Sequence, residues 1–289
     1  MPVQFFWCEA TTQKVSFEEC LRCAKSWEQE CSLVYPIIDF LVKDIKEKRD
    51  RDGEVHVTDL TSACIRQVIM KKFVDYGVYP SSRTYVMDGT LVHSFLEEYA
   101  SPEDHSELGL ELKLPGDILL VGKCDNLAKQ RILIDYKTSR NIMASRLPRD
   151  EHVWQINIYR YMIENPNIYP PVEKCLLIYK DMNGPQKCRT CKGKLIPDSP
   201  GVMICSRGSC RRVYRDAHNG MIIKEAELLP LDEVRDYIHL RAGDIASYLF
   251  GKEKVIPAMP ENLAGWVCQY CDVAYICQAM GPEERKLNE

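Results

Sequence analysis

The sequence predicts an α/β fold in which a mixed sheet is flanked by helices. Three observations indicate this class. Helical patterns lie on both sides of a block of strand-like segments, and turn residues separate those strands. Strands and helices then continue after the block, in an order that suits packed layers around one sheet. The 289 residues are 45% hydrophobic and 28% charged, which allows one substantial core with smaller satellites.

Each element is predicted from its local pattern, in the order of the chain. A small cysteine-bearing N-terminal segment comes first. The charged stretch 46–54 is expected to be a linker or turn. Pro115-Gly116 and Lys129-Gln130 are expected to form turns inside the strand block. The predicted elements are helices within 33–50, 58–77 and 87–100, three strands within 107–139, a helix within 150–165, a strand within 172–181, a strand within 220–229 and a helix within 231–251.

Charge and composition exclude several classes of protein. The formal net charge is −4, so contact with nucleic acid has to use a local basic patch. No run of 18 apolar residues predicts a membrane span, and the first residues do not have the pattern of a signal peptide. A reducing compartment, the cytoplasm, is therefore expected. There, 14 cysteines favour metal ligation over disulfides.

The clearest group of cysteines reads C-x2-C, thirteen residues, then C-x4-C, and consists of Cys188, Cys191, Cys205 and Cys210. Two short knuckles that present four thiolates are what a structural zinc ribbon requires, so we predict a zinc site here. The segment is also basic, which suits either a grip on phosphates or a solvated, protein-docking face. Its basic residues are Lys187, Arg189, Lys192, Lys194, Arg207, Arg211, Arg212 and Arg215.

A second group, near the end of the sequence, is Cys268, Cys271 and Cys277. Three closely spaced cysteines need a fourth ligand from elsewhere, and both zinc and an iron–sulfur cluster accept thiolates. The spacing alone leaves these two alternatives open. Cys124 and Cys175 lie in apolar, strand-like surroundings, where buried and inert thiols are expected.

A third group of cysteines lies near the N-terminus. Cys20 and Cys23 form a C-x2-C knuckle, while Cys8 and Cys31 are more loosely spaced. A second zinc site at these four residues and a set of structural or free thiols are both consistent with the pattern. The cysteines and the element order together divide the chain into a cysteine-bearing N-terminal helical segment, the first part of the α/β core, a zinc-ribbon insertion and the second part of the core, at 1–50, 51–181, 182–217 and 218–289.

Charged side chains occupy two neighbouring strands. Asp125 lies near the end of one strand, and Asp135 and Lys137 follow the apolar run 132–134 on the next. Because residues i and i+2 of a strand share a face, Asp135 and Lys137 project together, and a hairpin brings Asp125 alongside. Two carboxylates suit Mg or Mn, and Lys137 can orient an attacking water and stabilise charge on a phosphate. The alternative, an ion pair without a role, is costly at the end of a buried strand.

Two pairs of helical residues extend this set. His93 and Glu97 are four residues apart and share a helix face, and His93 is a candidate metal ligand. Gln155 and Tyr159 have the same spacing and can place an amide and a hydroxyl on a phosphate or near the metal. The alternatives are a structural histidine and a tyrosine of the core.

Together these motifs resemble the RecB-like branch of the PD-(D/E)xK nucleases. The helix motif GxxxH is found at 89–93, GxxD at 122–125, (D/E)xK at 135–137 and QxxxY at 155–159, in the order of that family. The resemblance implies a restriction-endonuclease-like mixed sheet, with 51–181 and 218–289 as the two parts of the nuclease core. It also implies that His93, Asp125 and Asp135 bind Mg or Mn and that Lys137 completes the catalytic set.

The resemblance extends to an iron–sulfur staple. In such nucleases one cysteine precedes the motifs and three follow them, and here Cys64 lies in a similar Cys-x-Arg segment ahead of Cys268, Cys271 and Cys277. This layout is similar to the CRISPR-associated RecB-like exonucleases, the fourth Cas family, and to their viral or stand-alone relatives. It implies a [4Fe–4S] cluster and an iron–sulfur-stapled C-terminus. The zinc ribbon and the cysteine-bearing N-terminus are not part of the common pattern, and no protein partner is inferred.

The sequence therefore predicts a metal-dependent deoxyribonuclease. The expected substrate is DNA, single-stranded by the habit of the family, and the expected activity is that of an exonuclease or end-processing hydrolase. Gln155 and Tyr159 are expected to position the substrate. The alternative is a non-catalytic nucleic-acid-binding or assembly module that keeps a nuclease shell. In such a module, at least one residue of the catalytic motifs would be missing. No motif residue is missing here.

Overall fold

The computed structural model describes residues 3–26, 31–47, 54–139, 142, 146–165, 169–183, 187–199, 202–214, 220–251, 255–260, 263, 265–269 and 271–286. Its α-helices are α1 Phe17–Ser26, α2 Tyr35–Glu47, α3 Val57–Leu60, α4 Ile65–Phe73, α5 Thr84–Glu98, α6 Asp150–Glu164, α7 Leu231–Leu249, α8 Gly265–Gln269 and α9 Ala274–Met280. Its strands are β1 Phe5–Trp7, β2 Lys14–Val15, β3 Glu54–His56, β4 Gly77–Val78, β5 His105–Leu114, β6 Ile118–Ala128, β7 Ile132–Ser139, β8 Lys174–Asp181, β9 Leu195–Ser199, β10 Val202–Cys205, β11 Val213–Tyr214, β12 Met221–Ala226, β13 Val255–Ile256 and β14 Arg285–Lys286.

Two compact units alternate along the chain. The first is formed by Met1–Met87, Leu112–Val121 and Tyr237–Glu289, and the second by Asp88–Glu111 and Gly122–Asp236. The segment boundaries expected from the sequence remain predictions. None of the described helices is both long and apolar enough to cross a membrane.

The first unit combines short strands with helices. Strand β1 pairs antiparallel with β2 and parallel with β4, and β3 pairs parallel with the first half of β6. The second half of α7 caps α3, because Arg241 donates to the carbonyls of Leu60 and Ser62, at 3.0 and 2.6 Å. Its buried core includes Phe6, Phe17, Ile38, Leu41, Val55, Leu60, Ile69, Met70 and Leu120.

The second unit is built on a mixed sheet with the strand order β12–β8–β7–β6. Strand β7 is antiparallel to β6 and parallel to β8, and β8 is antiparallel to β12. Helix α6 connects the parallel strands β7 and β8 and packs against both. The side chain of its buried Asn157 accepts a hydrogen bond from the Leu229 amide and donates one to the Glu227 carbonyl. These two bonds connect α6 to the chain after β12. The predicted mixed sheet with flanking helices is thus confirmed.

The cysteine-rich insertion joins two neighbouring strands. Strands β8 and β12 pair from Lys180 and Met221 onward, and the segment between them carries the small sheet β9–β10–β11. Because its two ends are already paired in the sheet, the insertion interrupts only the connection of an antiparallel pair. The cysteines of the predicted zinc ribbon lie in this segment, and its bounds at 182–217 stay a prediction.

Most predicted elements are present, with three differences. The helix expected within 58–77 is divided into α3 and α4. The Ser62 hydroxyl accepts a hydrogen bond from the Cys64 amide, and this bond interrupts the helical hydrogen-bond pattern. The N-terminal segment contains a β-hairpin and α1, ahead of the expected helix α2. Glu54, at the end of the expected linker, lies in β3. Lys46 and Glu47, at its start, belong to the end of α2, and linker residues 48–53 lie outside the described residues.

Candidate active site

One imidazole and two carboxylates meet in the second unit. His93 on α5, Glu107 on β5 and Asp125 on β6 each bring a ligand atom within 4.8 Å of the others. The Nδ1 atom of His93 lies 3.3 Å from Asp125 Oδ1 and 3.6 Å from Glu107 Oε1. The hydrogen bond to Asp125 raises the pKa of His93, although burial opposes this shift. Carboxylate oxygens suit Mg or Mn, and imidazole also accepts divalent metals, so the donor set fits the predicted ion.

Asp125 lies where β6 and β7 stop pairing. The antiparallel register ends with Asn126 opposite Ile134, and beyond it the Tyr136 amide donates to Asp125 Oδ2 at 2.5 Å. The carboxylate therefore takes the place that a backbone carbonyl has in a regular ladder. The ring of Tyr136 meets the ring of His93 edge-on, with centroids 6.2 Å apart. These contacts keep Asp125 next to His93.

Asp135 lies on the buried face of β7. Its exposed fraction is 2%, and burial raises its pKa to about 6, although the charge of Lys137 acts in the opposite direction. Its Oδ2 atom forms an ion pair with Lys137 Nζ at 2.8 Å, which offsets part of the cost of burying the charge. A bound cation would offset more of that cost. Asp135 thus also fits a divalent ion.

Lys137 is held between two elements. Its Nζ atom lies 2.8 Å from Asp135 Oδ2 on the same strand and donates to Gln155 Oε1 on α6, also at 2.8 Å. The Gln155 amide nitrogen in turn donates to the hydroxyl of Tyr159 at 3.1 Å. The spacing i, i+2 on β7 and i, i+4 on α6 places these side chains on the facing surfaces of the two elements. The result is an ammonium group of fixed position beside a buried carboxylate.

The structure brings together most, but not all, of the predicted set. His93 and Asp125 share one group of ligand atoms, while Asp135 lies outside the 4.8 Å group found among the described residues. Asp135 is still near enough to Asp125 for that carboxylate to raise its pKa further. Glu97, which the sequence paired with His93, is exposed and does not belong to the group.

Two features of the site were missed in the sequence. Glu107 joins the ligand group and pairs with Lys123, although the only local signal was an acidic residue in a strand pattern. On α6, one turn before Gln155, His152 lies 3.0 Å from the Tyr179 hydroxyl. Burial lowers the pKa of His152 to about 3, with further contributions from nearby positive charges, so this imidazole is neutral. The first depends on the pairing of β5 with β6 and the second on the packing of α6 against β8, and no local sequence pattern states either contact.

The four insertion cysteines form a second group of close ligand atoms. Cys188 Sγ lies 3.6 Å from Cys210 Sγ, and Cys191 Sγ lies 3.4 Å from Cys205 Sγ. Four sulfur atoms at tetrahedral zinc are about 3.8 Å apart, so the donor set and spacing fit one zinc ion. The hydroxyl of Tyr214 accepts a hydrogen bond from the Arg189 amide. The same hydroxyl lies 3.2 Å from Cys188 Sγ, and its hydrogen bond to that sulfur lowers the pKa of Cys188.

The insertion also presents the positive charge noted in the sequence. The basic side chains that the structure describes there are exposed, and Arg215 lies outside the described residues. The exposed basic residues are Lys187, Arg189, Lys192, Lys194, Arg207, Arg211 and Arg212.

In the first unit, the four cysteines of the expected iron–sulfur staple line one cavity. Cys64 from the start of α4 and Cys268, Cys271 and Cys277 from the C-terminal region surround about 40 Å³, together with apolar side chains such as Met70. They are not among the described groups that gather within 4.8 Å. Zinc and iron–sulfur clusters both accept thiolates, so the donor set of this cavity fits either group.

Arg66 binds the C-terminal segment beside this cavity. Its exposed fraction is 1%, and its Nε donates to Cys277 Sγ at 3.1 Å. Its Nη atoms donate to the carbonyls of Pro257, Gly281 and Glu283, at 2.6, 2.7 and 2.8 Å. One guanidinium therefore connects α4 to three parts of the C-terminal chain. The N-terminal cysteines Cys8, Cys20, Cys23 and Cys31 line a separate cavity of about 250 Å³ in the same unit.

Two solved structures are similar to the chain over most of its length. The crystal structure of SSO0001 has 18% sequence identity and a TM-score of 0.51, and the likeness covers 84% of this chain and 94% of that one, so the two share a fold. A phage-related exonuclease from Haemophilus somnus 129PT has 12% identity and a TM-score of 0.35, over 69% of this chain and 94% of the other. No curated protein matches the sequence. The pattern of the PD-(D/E)XK nuclease superfamily matches residues 41–278, and the chain belongs to that superfamily.

Proposed function

We propose that the chain is a metal-dependent deoxyribonuclease that hydrolyses phosphodiester bonds in single-stranded DNA, as an exonuclease or end-processing enzyme. The observation that carries the proposal is the group formed by His93, Glu107 and Asp125, with the Asp135–Lys137 pair on the neighbouring strand. These five side chains combine ligands for a cation with a fixed ammonium group. Membership of a nuclease superfamily agrees with this chemistry.

Each side chain has a distinct role in this proposal. His93, Asp125 and Asp135 hold Mg or Mn, and Glu107 is a further ligand. When bound, the ion supplies charge stabilisation at the phosphate and lowers the pKa of a water molecule. Lys137, held at 2.8 Å by both Asp135 and Gln155, orients the attacking water and stabilises negative charge on the phosphate.

Gln155 and Tyr159 position the substrate through Lys137, because Gln155 accepts from Lys137 Nζ and has its amide orientation fixed by the Tyr159 hydroxyl. The DNA strand also needs contacts away from the reacting phosphate. The exposed basic face of the insertion offers an additional grip on the phosphate backbone.

The cysteine sites in this proposal are structural. A zinc ion at Cys188, Cys191, Cys205 and Cys210 stabilises the small sheet of the insertion, which has few buried side chains of its own. A [4Fe–4S] cluster at the Cys64 cavity fastens the C-terminal segment to α4. Both assignments rest on the donor sets and cavity described above.

A cleavage assay with end-labelled DNA tests the catalytic proposal. We expect wild-type chain to degrade a labelled single strand with Mg or Mn and to stop when a chelator is added. Asp135→Ala should lower the rate by at least about 100-fold, because even residues that only support a metal ligand cost 10–100-fold when they are lost. The matched control is Asp117→Ala, which removes an exposed turn carboxylate. A folded Asp135→Ala variant that cuts at the wild-type rate contradicts the assignment.

The same assay separates the remaining alternatives. Products of one nucleotide indicate an exonuclease, internal fragments indicate an endonuclease, and a duplex substrate tests the preference for single strands. A wild-type chain that binds the strand but cuts nothing with either ion would instead support the non-catalytic module.

A further inference from the structure

The N-terminal cysteines take no part in the proposed nuclease site. Cys8, Cys20, Cys23 and Cys31 line one cavity of about 250 Å³ in the first unit, and Glu9 lies at the same cavity. The volume of one water in the liquid is about 30 Å³, so this cavity has room for much more than one small ligand atom. Four thiols around one space is also the donor set that soft metals prefer.

The local structure explains why these thiols face the same cavity. Helix α1 begins with a capping box, in which Ser16 Oγ accepts the Glu19 amide and the Glu19 carboxylate accepts the Ser16 amide, at 3.1 and 2.7 Å. This fixes the start of the helix, and Cys20 and Cys23, three residues apart, then share one of its faces. Cys8 comes directly after β1, in a turn closed by the hydrogen bond from the Thr12 amide to the Cys8 carbonyl.

The Cys8 sulfur has hydrogen-bond donors around it. The Thr11 side chain and the backbone amides of Thr11 and Ala10 donate to Cys8. Such donors are typical of a metal-bound thiolate. Cys20 lies near the thiols of Cys31, Cys23 and Cys8. Unlike the insertion thiols, these four are spread around their cavity.

The β-hairpin of the N-terminal segment is small. The pairing of β1 with β2 consists of two residue pairs, and a hairpin of that size is marginal by itself. Its other support comes from the pairing of β1 with β4 and from the buried rings of Phe6 and Phe17. A metal that bridged the turn after β1, helix α1 and the chain before α2 would add to this packing.

We propose that Cys8, Cys20, Cys23 and Cys31 form a third thiolate metal centre, separate from the insertion site and from the C-terminal cavity. Each thiol bonds to the metal through sulfur and releases its proton to solvent, so no oxidant is required. The centre fastens the hairpin and α1 to the start of α2. Zinc and an iron–sulfur cluster share this ligand chemistry, and the metal analysis distinguishes them.

The first experiment measures the metal content of the full-length chain, purified without oxygen. Cys20→Ala and Cys31→Ala should each lose about one zinc per chain, or iron together with sulfide, relative to wild type. The matched control is Cys175→Ala, a buried thiol of β8 that lines neither cysteine cavity. Metal contents equal to those of wild type and control would overturn the proposal.

The second experiment uses the wild-type chain and does not depend on whether the variants fold. Cys23 is exposed, so a free thiol there should react quickly with iodoacetamide. In a metal centre it should react at least about tenfold more slowly, until the metal is removed. Rapid alkylation of Cys23 in the native chain contradicts a metal centre. Protection that a reductant alone removes indicates a disulfide and also contradicts it.

Discussion

Asp135 combines a charge with an almost complete lack of solvent. The carboxylate is 2% exposed, and burial raises its pKa to about 6, above the ordinary value near 3.9. Without a metal, the folded chain therefore holds the Asp135 proton more tightly than the unfolded chain does. The contribution of Asp135 to stability is greatest where this carboxyl is protonated and is lost as the pH rises from about 4 to above 6. The charge needed to bind a cation thus destabilises the metal-free fold.

The buried charge of Asp135 should lower the melting temperature of the metal-free chain at high pH. In the presence of a chelator, Asp135→Asn should melt a few degrees above wild type at pH 8, and the difference should shrink towards zero near pH 4. The reason is that a neutral amide at this position never carries the buried charge. Melting curves over this pH range measure the effect, with Asp117→Asn as the exposed control. A pH-independent difference would contradict the explanation.

Gln155 is expected to act through Lys137. Gln155→Leu removes the acceptor 2.8 Å from Lys137 Nζ and should lower kcat by about 10–100-fold, with a smaller change in KM. Steady-state cleavage kinetics measure this split, and Gln130→Leu in the turn between β6 and β7 is the control. An equal rise in KM with unchanged kcat would show that Gln155 only binds substrate.

At the scale of single residues, local spacing predicted which side chains of the candidate site share a face. The i, i+2 pair Asp135 and Lys137 and the i, i+4 pair Gln155 and Tyr159 share faces because strand and helix geometry fixes them. Glu107 was not predicted, since its approach to Asp125 depends on the pairing of β5 with β6. Nothing in the local pattern around Glu107 states that pairing.

At the scale of elements, Arg66 connects α4 to the C-terminal chain by four hydrogen bonds. Arg66→Met keeps much of the side-chain volume but leaves three carbonyls without their donor. We expect the free energy of unfolding to fall by about 3 kcal/mol or more, since each buried polar group left unpaired costs about 1–3 kcal/mol. Urea denaturation measures the loss, with the exposed Arg235→Met as control. A loss no larger than that of the control would contradict this role.

Long periodic elements were predictable and short ones were not. The strand block, α6 and α7 follow from their hydrophobic patterns, and their bounds agree with the prediction to within a few residues. Strands β1, β3 and β4 have two or three residues each, which is too short for a period to show. Their pairing is parallel for β3 with β6 and for β1 with β4, so no hairpin turn marks it in the sequence.

At the scale of the whole molecule, the cysteines fall into sets that should be separable by mutation. Cys188→Ser should remove about one zinc and leave iron unchanged, while Cys271→Ser should remove iron and visible absorbance and leave zinc unchanged. The two sets of cysteines belong to different units, which is why each loss should be independent of the other. Metal analysis with absorption spectra measures both. Colourless wild-type protein with zinc in place of iron would contradict the cluster assignment.

The two ends of the cysteine-rich insertion are joined to each other by a backbone hydrogen bond. The Asp181 amide donates to the Gly220 carbonyl at 2.9 Å, so the residues between them form a loop whose ends are already joined. Closing a longer loop costs only about 0.6 kcal/mol of entropy for each doubling of its length. A whole small module can therefore replace a tight turn at little thermodynamic penalty, and related chains need not share it in order to share the sheet.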